Sequence, residues 1–184
     1  NPDVVDNLSH KYDSYWEELK VADNPYPRAI IGSEHQDVIG LNSYNWIKGA
    51  SAPHSYHQRN VLTAVKGVGF WPVEIAQSGT YQFDVRRWPK ELDYAMSGAL
   101  PADTISDITV LGKPVLVGEG KAIEVVKVRL QVGDKKLEKE IVESDVSSVF
   151  DIKLPAGETR IEAWLVDAEG NEQNAYYVYA SLKE

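Results

Sequence analysis

Apolar residues follow two rhythms along this chain, and the change between them comes near residue 29. Over the first twenty residues Val5, Leu8, Tyr12, Tyr15, Trp16 and Leu19 recur three and four apart, which lays one apolar stripe along an α-helix. Asn1 can cap that helix, Pro2 suits its first position, and Asp3 sits at the positive end of its dipole. The pattern predicts a helix over 1–22. Asp23-Asn24-Pro25-Tyr26-Pro27 then breaks it, within a linker at 23–28.

From Ala29 onward the period is two. Tyr81, Phe83 and Val85 alternate with Gln82, Asp84 and Arg86; Val126, Val128, Leu130 and Val132 alternate with Lys127, Arg129 and Gln131. Phe150, Ile152 and Leu154 alternate with Asp151 and Lys153, and Ile161, Ala163 and Leu165 with Glu162 and Trp164. One buried and one wet face per strand is the mark of antiparallel sheets. Turn residues separate the runs at Gly133-Asp134-Lys135, Pro155-Ala156-Gly157 and Glu169-Gly170-Asn171. Residues 29–184 are therefore expected to be mainly β, an antiparallel two-sheet sandwich of jelly-roll-like kind behind an N-terminal helix. Residues 91–105, with Gly98, Pro101 and little periodicity, read as a long loop of the sort that carries binding.

A chain of 184 residues can bury a full core without disulfides or metal. Its net charge of −9 disfavours phosphate-backbone binding and anionic membrane surfaces, so neither nucleic acid nor membrane is expected as a partner. An anionic sugar stays compatible, because a few cations can dominate one pocket. The absence of cysteine removes disulfides, thiolate metal sites and cysteine nucleophiles together. No stretch is apolar enough to span a membrane and no signal peptide is present. The start at Asn1-Pro2-Asp3, without methionine, leads us to expect a processed product or an excised piece.

Two clusters could carry chemistry. In His54-Ser55-Tyr56-His57-Gln58, preceded by Trp46, two histidines three apart could bind a metal if the loop turned both inward. No third ligand is evident nearby, and sugar contact by Trp46 and His57 is the preferred functional reading; a polar loop with a histidine packed on an aromatic is the plain one. In Arg86-Arg87-Trp88-Pro89, alternation sends Arg87 inward, where a guanidinium needs a partner, and puts Arg86 and Trp88 on the opposite face. Two guanidiniums beside an indole could grip a sulfated or carboxylated sugar. The plainer reading, which we favour, is an inter-sheet ion pair of Arg87 with Glu91 or Asp93. Trp71 and Trp164 face the same choice between core and sugar platform, and for Trp71 burial is expected. Gly67-Val68-Gly69 does not complete a dinucleotide fingerprint, and no serine sits in a nucleophile elbow.

Several motifs, in order, resemble the C-terminal region of bacterial arylsulfatase-type enzymes, the formylglycine-dependent sulfatases. Asp3-Val4-Val5 … Leu8 … Tyr12-Asp13 … Trp16 resembles the helix that ends their catalytic module. Ile30-Ile31-Gly32, Leu41 … Asn45-Trp46, Gln58 … Val61 and Gly69-Phe70-Trp71-Pro72-Val73-Glu74-Ile75 resemble the strands that follow, with Asn45 where the family has Asp. Gly79-Thr80-Tyr81 … Val85-Arg86-Arg87-Trp88-Pro89 … Glu91 resembles the Arg-Arg-Trp-Pro signature, and Ala175-Tyr176-Tyr177-Val178-Tyr179 the closing strand.

The resemblance implies an accessory domain that packs on a catalytic domain of the same polypeptide, in the periplasm or outside the cell, with sulfated carbohydrate or aryl sulfate as substrate. The parent enzyme would use calcium and a formylglycine made in a Cys/Ser-x-Pro-x-Arg motif. This chain has no cysteine, and Ser51-Ala52-Pro53-His54-Ser55 lacks the arginine, so catalytic residues and cofactors are expected upstream and none here. Trp46, His54, His57, Arg86 and Trp88 are the residues expected to meet substrate at a pocket rim. A stand-alone carbohydrate-binding module and a purely structural or adhesive sandwich are the two other classes the sequence allows.

Overall fold

The structure is a computed structural model that describes residues 1–20, 27–47, 57–110 and 113–183. The predicted helix is present as α1, Pro2–Lys20, with the Val5 amide donating to the Asn1 carbonyl as its first turn closes. Most of the predicted linker lies outside the described residues.

Strands account for about half of the remaining described residues. One sheet runs in the order β1 (Ala29–Ile31), β3 (Trp71–Ile75), β10 (Gly157–Val166), β7 (Lys127–Val132) and β8 (Lys135–Glu140). A short β11 (Glu172–Asn174) pairs with the end of β10 beyond β3. The pairing is antiparallel except between β1 and β3. The second sheet is wholly antiparallel, in the order β2 (Val38–Asn42), β12 (Tyr177–Leu182), β4 (Gly79–Arg86) and β9 (Ser148–Leu154). β5 (Asp103–Val110) and β6 (Lys113–Val117) form a separate two-stranded ribbon among the described residues. A short α2 (Gln58–Leu62) precedes β3. The protein is a mainly β, antiparallel two-sheet sandwich with an N-terminal helix.

The alternation explains the core. Tyr81, Phe83 and Val85 from β4 and Phe150, Ile152 and Leu154 from β9 meet Val128, Leu130 and Val132 from β7 and Ile161, Ala163 and Leu165 from β10 in one buried cluster. Trp71 joins it, as expected. Val126 does not: it precedes β7, which begins at Lys127, and its side chain stays exposed although its backbone bonds to Val166 and Ile141. The β7–β8 hairpin turns on two residues, and Gly133, at φ +57°, takes the position where a right-twisted hairpin asks for a left-handed backbone. Gly69 serves close approach instead, because a Cβ there would meet the Trp46 Cβ at 2.7 Å.

The open edges of the second sheet are met by side chains from the first. Trp71 Nε1 donates to the Asn42 carbonyl of β2 at 2.7 Å. On the far edge, the ammonium groups of Lys135 and Lys139 on β8 donate to the carbonyls of Lys153 and Val149 on β9. Unpaired edge groups invite pairing with another chain, and lysines placed over them discourage it.

Candidate functional site

The Arg86-Arg87-Trp88 corner is the chemically richest part of the fold. β4 ends at Arg86, and the chain leaves the ladder with Arg87 turned inward and wholly buried. The expected ion pair with Glu91 or Asp93 does not form. Arg87 Nη1 instead donates to the carbonyls of Met96 (3.1 Å) and Gly98 (2.9 Å), and Nη2 to the carbonyl of Lys121. The guanidinium lies 4.2 Å from the centre of the Trp88 ring, a cation–π contact strengthened by exclusion of water. Trp88 is itself only 2% exposed, with Nε1 donating to Ala95 O at 3.0 Å. Alternation from β4 placed it on the outer face, but alternation stops where the strand stops.

This arrangement explains the long segment between β4 and β5. Its stretch 91–102 is a loop, as expected, while 103–105 already belong to β5. The loop is stitched down: Met96 is buried and its amide donates to Asp145 O, the Tyr94 hydroxyl donates to Ala99 O, and Ser97 Oγ to Glu143 O. One planar cation holds two separate loops through backbone acceptors, which a guanidinium's fixed fork of donors makes possible.

The five residues expected at a substrate rim divide in two. Trp46, 4% exposed, packs in the core against Trp71 (ring centres 5.7 Å apart) and Tyr176 (6.1 Å). Trp46 and Trp88 therefore present no open ring face for stacking. Arg86 and His57 remain at the surface side. Arg86 Nε donates to Asp84 Oδ2 at 2.7 Å, and Arg86 is in register with Tyr177, whose hydroxyl donates to Gln58 Oε1 at 3.3 Å, one residue from His57. His57 caps α2, its Nδ1 accepting the Arg59 amide at 3.1 Å. His54 lies outside the described residues, and with it the proposed histidine pair.

Electrostatics at the corner follow burial. Desolvation pulls the Arg87 pKa down to about 10, opposed by Tyr176. Burial pushes Tyr176 up to about 12, with the Arg87 charge working against it; its hydroxyl donates to Val65 O at 2.9 Å. Burial likewise raises Tyr177, Tyr179 and Tyr81. On this outer sheet face Lys90 lies over the Tyr179 ring, 5.2 Å from its centre, and the Lys90 amide donates to its hydroxyl.

Sequence reasoning missed the Arg87 carbonyl clamp and the lysine-sealed edge. Backbone acceptors leave no residue-type signature, so nothing in the sequence marked either. Among the described residues, no group of three or more His, Asp or Glu side chains is placed to hold a metal ion, and no helix is long and apolar enough to cross a membrane. Comparison with protein-family models, with curated proteins and with solved structures finds no match to this chain.

Proposed function

We propose that the sandwich is a C-terminal accessory domain of a secreted bacterial sulfatase, and that α1 closes the catalytic module on which it packs. The observation that carries this reading is the bare stripe of α1. Val4, Val5, Leu8, Tyr12, Tyr15, Trp16 and Leu19 are between 46% and 64% exposed along one helix. A helix of this length is marginal in water without a partner for its apolar face, and contiguous exposed apolar surface marks an interaction site. The resemblance of the ordered motifs to those of arylsulfatase-type enzymes supports one partner: the catalytic domain of the same polypeptide. The substrates on this reading are sulfated sugars or aryl sulfates, and the setting is the periplasm or cell exterior.

Formylglycine and calcium belong, on this reading, to the catalytic module. The residues described here offer neither the cysteine nor a carboxylate cluster for them, so no step of ester hydrolysis is assigned to this chain. Its contribution on this reading is to supply α1, whose apolar stripe the module would cover. The purified chain should give no turnover of a chromogenic aryl sulfate, while the same chain joined to its catalytic module should. Turnover by the chain alone would overturn the reading.

A further inference from the structure

We draw no further inference here: the strongest candidate, the exposed apolar stripe of α1 from Val4 to Leu19, belongs to the face on which the proposed function already rests, and nothing in the structure shows what else would cover it.

Discussion

Arg87 shows how a buried charge can be held without a counter-ion. Three backbone carbonyls and one indole face replace the carboxylate that its inward direction led us to expect. Arg87→Met keeps much of the volume but strands those acceptors, and should lower stability by about 3 kcal/mol in urea denaturation, since each unsatisfied buried group costs roughly 1–3 kcal/mol. Arg87→Lys should recover little, because an ammonium on a flexible stem cannot span two loops as a planar fork does. The buried tyrosines set the response to alkali. Tyr176, with its pKa pushed up to about 12, contributes stability that is complete below pH 10 and is lost as pH rises through 12, because the unfolded chain gives up that proton first. Tyr81, Tyr177 and Tyr179 act in the same direction. Arg87 acts in the opposite one between pH 10 and its ordinary value, but the tyrosines outnumber it. The part of the tyrosinate absorbance that comes from Tyr81, Tyr176, Tyr177 and Tyr179 should therefore rise late, together with loss of circular dichroism. Titration of all ten tyrosines near pH 10 in a still-folded chain would contradict the burial described. At this scale the sequence made the inward turn of Arg87 legible. It could not show the partners, nor that Trp88 lies past the last paired residue of β4.

At the scale of elements, the strands were legible wherever one face was dry and the other wet, as in β4, β7, β9 and β10. The long loop was legible as a loop, but not as a packed one, because its anchors are carbonyls of Met96 and Gly98 rather than recognisable side chains. The edges of the second sheet were not legible at all. β8 reads as a charged strand, Lys135-Lys136-Leu137-Glu138-Lys139-Glu140, and its lysines look like an ordinary solvated face until β9 is brought beside it. Replacing Lys135 and Lys139 together by serine should leave the fold intact and open the β9 edge to strand addition. Sedimentation velocity should then show concentration-dependent association that the parent chain lacks; a monomeric double variant would mean that the lysines do not guard the edge.

For the whole molecule, two features pull in one direction. The sandwich closes over its own core, and side chains of the first sheet meet the edge carbonyls of the second. α1 does the reverse, carrying a row of half-exposed aromatic and aliphatic side chains, with Tyr12 stacked on Trp16 at 6.4 Å between ring centres. A helix of that kind suits an interface, and on the proposed reading the neighbour is the catalytic module of a sulfatase. Of the candidate site, the sequence put Arg86 on the outer face of its strand and His57 in a separate loop, without relating the two, and it overrated Trp46 and Trp88, whose size makes them core-formers once the sheets meet. The most direct test is to determine the coding sequence immediately ahead of the codon for Asn1. An open reading frame running in from upstream and carrying Cys/Ser-x-Pro-x-Arg is the predicted result; a start codon at this point, or an unrelated module in front of it, would contradict the account.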